Sequence, residues 1–534
     1  MALSAAAFAV EIPFFFLGTP SGHDVEFHLY SWLEVLSQWK HGVIYPRWAG
    51  LAHFGYGEPR FIFYPPASWT LGAFLSAISP WVLASNIYIW VSLVAAGVAM
   101  FYLARQWFDR RDATFAAVLY AVNPYHLAIV YWRSAFAELL ASFLLPLLLL
   151  LLLRADRHTR RNTVLLAFAL CLAWLTNAPA AVMIHYSFAL LILIVAWKHR
   201  SPAVLIAGAA AVLLAAAMAA FYLFPAIYEQ KWVDIAQSIS AGARPLDNFL
   251  FVRTTDAEHD AFNRVISWIA VAEISVTFAA AWAARAWQRR NPTLWLLLIV
   301  WAGVCAFLMF PASNLLWNVL PKLRYMQFPW RLLLCVDVPF TLFLLMATRS
   351  WISRCAVYLA MLGVIVFGWN HYQPPWWNNA ADLREMQDNV ATGVGYEGTD
   401  EYAPQGADPS AVDKSVRRAT VAGPARAAIH IIEWDAERKL LTADLSATDT
   451  LALKLFNYPA WKVEINGRPV QAMSREGTGQ MLIPVQAGMN KIEIVFMRTW
   501  DRTLGALISA FAVLLAVALV FWPATELRVA DGSS

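Results

Sequence analysis

The chain has 534 residues, 60% of them hydrophobic and only 14% charged, whereas soluble domains run nearer a quarter charged. Repeated apolar runs near 20 residues point to a multi-span membrane protein, because about 20 helical residues cross the hydrocarbon core. The formal net charge of +4 gives no basis for nucleic-acid binding. The cysteines Cys171, Cys305, Cys335 and Cys355 all lie in apolar runs and form neither a CxxC pair nor a disulfide framework.

Residues 2–18 are the first apolar run, and no Lys or Arg precedes Lys40. A first anchor normally carries a basic leader, so the true start is expected upstream of Met1. Residues 21–66 are the first long polar and aromatic interval. Asp24, Glu26 and His28 line one side of this stretch if it is extended. If it is helical, Asp24 and His28 still share a face. Trp32, Trp39, Trp48 and Tyr64-Pro65-Pro66 follow. The interval reads either as a reaction site at a membrane surface or as a solvated loop whose aromatics sit in the interfacial belt. Further spans are expected at 83–104, 113–131, 135–153, 163–179, 181–197, 203–224, 264–285, 293–310, 330–348, 351–369 and 503–522. Residues 67–79 are too short for a comfortable crossing and read as re-entrant or interfacial.

The short-loop Lys and Arg concentrate in the turns 105–112, 154–161, 198–200, 285–290 and 349–354. By the positive-inside rule these turns are cytoplasmic. Two spans separate each successive pair of turns, so 19–82, 131–134, 177–179, 225–263, 311–329 and 370–502 are all expected to face outward. The chemically suggestive stretches fall on that outer set. Arg133 and Glu138 stand at a span entrance, where an ionisable residue is a functional candidate; a snorkelling arginine is the alternative. Gln327-Phe328-Pro329-Trp330-Arg331 places Pro329 at a helix start and Arg331 just inside a span. A guanidinium there needs an anionic partner, either a lipid phosphate or an acid from a neighbouring loop. Thr254-Thr255-Asp256-Ala257-Glu258-His259-Asp260 could bind a cation or be a solvated loop.

From 370 the character changes. A polar, Gly/Pro-containing interval at 378–427 leads into short β-type runs at 428–434, 438–445, 451–456, 461–465, 469–473, 481–485 and 491–496. Asn466-Gly467 is a strong hairpin signal. A small β-sandwich is expected, with Tyr458 and Trp461 either stacking on sugar rings or packing in its core. The tail is expected to contribute little to substrate binding.

Gly22-His23-Asp24 with His28, Tyr45-Pro46-Arg47-Trp48, Gly55-Tyr56-Gly57 and Phe63-Tyr64-Pro65-Pro66 together resemble the bacterial membrane proteins called 6-pyruvoyl-tetrahydropterin-synthase-related. Arg133 to Glu138, Gln327 to Arg331 and Glu401-Tyr402-Ala403-Pro404 fit the same family. The architecture is similar to the GT-C glycosyltransferases, which take sugars from polyprenyl-phosphate donors. That resemblance implies a mostly α, polytopic GT-C-like bundle of about 12 spans over 1–369, an extracytoplasmic β-rich domain over 370–502 and a final helix with a short cytoplasmic tail over 503–534. It implies a multi-pass protein of the bacterial inner membrane with its site on the outer face. The implied partners are membrane lipids, a polyprenyl-phosphate-linked sugar and an acceptor of unknown identity. The family's name is not its chemistry: soluble pterin synthases resemble zinc enzymes with three histidines, and only His23 and His28 lie close together in the outer loops.

Sugar transfer from a lipid phosphate needs a base for the acceptor and positive charge for the leaving phosphate. Asp24 is the expected base and Glu26 the second catalytic carboxylate, although Val25 separates the two acids where many GT-C enzymes have them adjacent. Asp24, Glu26 and His28 could instead hold Mg²⁺ or Mn²⁺. His28, Arg47, Tyr64, Arg133, Glu138, Gln327 and Arg331 are the expected substrate-binding residues. The rival reading is a non-enzymatic lipid-carrier transporter or an assembly factor for surface polysaccharide.

Overall fold

A computed structural model of the protein describes residues 1–154, 160–348, 350–372 and 377–521. It is mostly helical, with a β-sheet region near the C-terminal end. Among the described residues, six helices are long and apolar enough to cross a membrane: Trp81–Ala104, Arg110–Arg133, Ala178–His199, Ala257–Ala283, Pro329–Ala347 and Trp500–Phe521. Two bent pairs raise the count to eight if each is one span: Pro202–Met218 with Ala220–Trp232, bent by 74°, and Pro292–Leu308 with Pro311–Val319, bent by 92°. The expected count of about 12 is not reached on these criteria. The runs expected as spans at 2–18 and 135–153 are the shorter apolar helices Ala2–Leu17 and Phe136–Leu152. The run at 163–179 is the 17-residue helix Arg160–Thr176, and Asn177 then caps Ala178–His199 by accepting from Ala180 N.

The short run at 67–79 is the 13-residue helix Pro66–Ile78. Pro66 starts it, where a missing N–H costs nothing. It packs between Val25–Lys40 and Trp81–Ala104. Gly72 makes this approach possible, since a Cβ there would lie 2.0 Å from the Trp32 ring.

The C-terminal region contains two antiparallel sheets. One orders its strands Ala419–Val421, Asp449–Phe456, Gln480–Val485, Met473–Ser474. The other orders them Ala427–Trp434, Arg438–Leu445, Gly488–Phe496, Trp461–Ile465, Arg468–Val470. Alternating side chains such as Leu441, Ala443, Leu445, Ile492 and Ile494 are buried, as one-faced strands require. The expected hairpin is present. Trp461–Ile465 pairs with Arg468–Val470, and Asn466 and Gly467 take φ of 52° and 77°, the two positive values of a type I′ turn. Tyr458 and Trp461 are buried, so the core use of these two rings is the one observed.

The polar, Gly/Pro-containing interval at 378–427 holds the helix Ala380–Thr392. Its signals are local. Asn379 and Asp382 form a reciprocal capping box, and Gly393 ends the helix at φ 74°. Leu383 and Met386 are its buried face.

The segments expected to share the outer face meet one another. Thr19–Pro20 pairs with Trp377–Asn378, Val233 bridges to Pro404 and Gln327 Nε2 donates to Ser238 O at 2.6 Å. Far from these, Arg354 Nη1 meets Asp112 Oδ1 at 2.8 Å, which joins two of the basic turns.

Candidate functional site

Asp24 precedes the helix Val25–Lys40 as its N-cap, without using its side chain as a cap. The stretch 25–40 is therefore helical rather than extended, and that decides which residues converge. Asp24 and His28 lie on one side, while Glu26 is turned away and exposed. Asp24 is anchored through its backbone, whose N–H donates to Arg133 O at 2.9 Å. Gly22 makes the approach possible. A Cβ at Gly22 would lie 2.5 Å from Arg133 C and 2.7 Å from Ser134 Oγ. Ser134, left-handed at φ 49°, accepts from Gly22 N at 3.0 Å and donates to Pro20 O at 2.9 Å.

Arg133 ends a short π-helical turn, Ile129–Arg133, an irregularity that often marks functional positions. Its Nη1 is 2.5 Å from Glu138 Oε2 and its Nη2 is 3.8 Å from Asp24 Oδ2. Arg331 Nε approaches the same Glu138 oxygen at 3.1 Å, as an ion pair rather than an aligned hydrogen bond. Tyr125 donates its hydroxyl to the other Glu138 oxygen at 2.6 Å. Arg331 Nη1 also donates to Met326 O at 2.7 Å and Gln327 Oε1 at 3.0 Å. Phe328 and Trp330 stack at 4.9 Å and present their faces to both guanidiniums, with Arg331 4.6 Å from Phe328 and Arg133 5.0 Å from Trp330. Glu138, Arg133 and Arg331 are buried, whereas the Asp24 side chain is 41% exposed. One buried carboxylate thus serves two buried guanidiniums, and Asp24 supplies the second acid at the open edge. The anionic partner expected of Arg331 is in this structure Glu138.

His28 is buried and stacks on Phe136 at 5.2 Å. Burial pushes its pKa down to about 4, so the ring is neutral near pH 7. Tyr64 packs edge-on against Phe27 at 4.6 Å. Burial raises its phenol well above the usual value, and the Asp24 charge adds to that effect. The expected residues Asp24, His28, Tyr64, Arg133, Glu138, Gln327 and Arg331 therefore gather at one locus, and two do not. Glu26 faces outward beside Tyr30 and Glu385. Arg47 lies under the β region, 4.0 Å from the Tyr45 ring, with Glu437, Arg502 and Glu229 as its charged neighbours. Glu26 is exposed while His28 is buried beside Asp24, and among the described residues no group of three or more His, Cys, Asp or Glu is arranged to hold a metal. The acidic run at 254–260 is used locally: Asp256 caps Ala257–Ala283 and Asp260 Oδ1 accepts from Thr254 N at 2.7 Å.

A second polar group adjoins this one and was not singled out from the sequence. Glu58 is fully buried. It accepts from Arg60 Nε at 2.5 Å and Thr399 N at 2.8 Å, and lies 2.9 Å from His53 Nε2. Burial works against the Glu58 charge, but Arg60 and His53 outweigh it and bring its pKa down to about 2. Arg60 also reaches Ser31 Oγ at 3.0 Å and lies over the Phe27 ring at 4.4 Å. The tail is part of this group. Tyr396 exchanges backbone bonds with Leu51 and Phe54, and Glu401 lies near enough to feel Asp24. Burial, then the charges of Glu58 and Asp24, raise the Glu401 carboxyl to about 7. The tail, expected to contribute little to substrate binding, thus borders the site through Tyr396, Thr399 and Glu401. The signal was a Glu58-Pro59-Arg60 pair inside an aromatic run, where charges occur chiefly when paired.

Fold and site together define a multi-pass helical membrane protein with a C-terminal β region and a buried acid–arginine cluster whose open edge lies near Glu401. The chain belongs to the family described as 6-pyruvoyl-tetrahydropterin synthase related domain, a membrane protein family, which matches residues 61–375. That stretch contains Tyr64, Arg133, Glu138, Gln327 and Arg331. It begins after Asp24 and ends before Glu401. No curated protein matches the chain.

Proposed function

We propose that the protein transfers a sugar from a polyprenyl-phosphate donor to an acceptor on the extracytoplasmic face of the bacterial inner membrane, in the manner of GT-C glycosyltransferases. One observation carries the reading: a half-exposed carboxylate, Asp24, stands 3.8 Å from an arginine that shares its buried counter-ion with a second arginine. Displacing a sugar from a lipid phosphate makes two demands, a base for the incoming hydroxyl and positive charge where the phosphate leaves. In the proposal Asp24 takes the acceptor proton. Arg133 and Arg331 receive the phosphate oxygens, for which the guanidinium fork is suited. Glu138 holds both guanidiniums in place and is not itself a base. Tyr64 and His28 lie beside Asp24 on its buried side. Glu401, which titrates near neutrality, is a second carboxyl able to carry a proton at the same edge. The arginines supply the positive charge at the leaving phosphate. The outward orientation rests on the five basic turns and on the joining of the expected outer segments.

The test is sugar transfer by purified protein given a polyprenyl-phosphate sugar. Asp24→Asn keeps size and hydrogen bonding and removes the charge. It is expected to leave donor binding near wild type and to lower transfer at least ~100-fold, the lower range for losing a general base. Wild-type turnover in that variant would overturn the assignment. A lipid-carrier transporter or assembly factor would use the same arginines to hold phosphate and would tolerate Asn at 24.

A further inference from the structure

A second set of ionisable groups lies among the helices, next to the acid–arginine cluster and not part of it. Glu273 sits near the middle of Ala257–Ala283 and Asp337 within Leu333–Ala347. These two helices pack against each other, and the carboxyls face one another within hydrogen-bonding reach. Both residues are fully buried. Among the described residues no well-aligned hydrogen bond reaches any of their four oxygens, and the one donor close to them is the Asn123 amide beside Asp337. Two carboxylates cannot bond to each other, since each is acceptor-only when ionised. Bare charges in such a place are very costly.

A third group points into the same space from another element. His126 belongs to the short helix Pro124–Ala128 and is fully buried. Its Nδ1 lies 3.1 Å from Ala121 O, which can only accept, so Nδ1 carries the hydrogen. The other ring nitrogen, Nε2, is then a bare acceptor in the neutral ring. It has no hydrogen-bond partner and lies 4.0 Å from Asp337 Oδ2. Two carboxyls and one imidazole nitrogen thus converge as acceptors. The remaining neighbours are Asn123, Tyr120 and Cys335 beside Asp337, and Glu138 near His126. Cys305 meets the set through Cys335, and among the described residues no Lys or Arg forms an ion pair with Glu273 or Asp337.

We propose that Glu273, Asp337 and His126 form an intramembrane proton-binding site. One proton bridges Glu273 and Asp337, as in other sites where two carboxyls share a proton. A second can pass between Asp337 and His126 Nε2, with no other bond made or broken. The site adjoins the acid–arginine cluster through consecutive residues, because Tyr125 bonds Glu138 while His126 faces Asp337.

The experiment treats the full-length protein in detergent with dicyclohexylcarbodiimide, which reacts with protonated carboxyls in apolar surroundings, and maps adducts by peptide mass spectrometry. Glu273 or Asp337 is expected to carry the adduct, with labelling that falls severalfold as pH is raised from 6 to 9 and is unaffected by sodium. Infrared spectra of the wild type are expected to contain a protonated-carboxyl C=O band that Glu273→Gln and Asp337→Asn remove. The wild-type measurements stand even if a variant fails to fold. Absence of adduct at both residues, while carboxyls elsewhere in the same sample react, would overturn the proposal. Protection by sodium would also overturn it, in favour of a metal-cation site.

Discussion

Glu138 is the residue whose loss should be felt most sharply in the acid–arginine cluster. It is buried, and among the described residues it is the one carboxylate within 4 Å of Arg331 and the nearer of two to Arg133. At the 3.1 Å separating Glu138 from Arg331, a unit-charge pair in an effective dielectric of about 20 attracts by about 5 kcal/mol before desolvation is counted. Arg133 at 2.5 Å adds a comparable attraction. Replacing Glu138 by Gln leaves two buried guanidiniums facing a neutral amide. Breaking a buried pair in this way costs about 3–5 kcal/mol. The amide oxygen still accepts from one donor, so the lower end is expected. Glu138→Ala should reach the upper end. The assay is unfolding of purified protein in mixed micelles by titration with a denaturing detergent. Pairing Glu138→Gln with Arg331→Met should recover part of the loss, because the stranded charge is then removed. If the arginines receive a lipid phosphate, polyprenyl phosphate should stabilise Glu138→Gln more than wild type. Unfolding of Glu138→Gln and Glu138→Ala at the wild-type midpoint would refute the claim that this carboxylate holds the cluster.

Glu401 should leave a pH signature. Its folded-state pKa is raised from 4.5 to about 7, so the folded state holds a proton that the unfolded chain has lost, and stability falls as pH rises from about 4.5 to 7. The integrated effect is at most about 3 kcal/mol. Glu401→Gln should flatten that slope and be the more stable form at pH 8; an unchanged slope would show that Glu401 does not titrate there. Gly22→Ala forces a Cβ against the Arg133 carbonyl carbon 2.5 Å away. It should cost about 1–3 kcal/mol as overpacking and lower transfer by displacing Asp24, and wild-type stability with full activity would show that the contact relaxes freely. Cysteines placed at Ser240 and Thr478 should react with an impermeant thiol reagent from outside intact cells while one at Arg290 does not, and the reverse pattern would invert the orientation.

Much of this protein was legible along the chain because the bilayer imposes a one-dimensional rule. Helices are apolar for about the thickness of the hydrocarbon core, so the long runs, the basic turns and the switch to β-type alternation near 428 could all be read directly. The Asn466-Gly467 turn is as local as a signal can be, and it formed as expected. The capping box at Asn379 and Asp382 was equally local, and went unread because polar Gly/Pro-containing sequence surrounds it. What sequence could not decide was which charges face each other. Asp24 and Glu26 are equivalent acids on paper. The helix starting at Val25 turns one toward Arg133 and the other outward, and Gly22 fixes that choice by its contact with Ser134, more than a hundred positions away. Arg47 and Arg133 likewise look alike as basic residues of outer segments, but Arg47 is tied under the β region by its backbone N–H, which donates to Glu437, while the Arg133 guanidinium pairs with Glu138. Glu401 acquired its place only when the tail folded back over the first loop through Tyr396 and Thr399. Span-forming runs follow from local hydropathy. The pairing of buried charges follows from long-range packing, where a single partner offsets the desolvation of an ion, and only the tertiary structure names that partner.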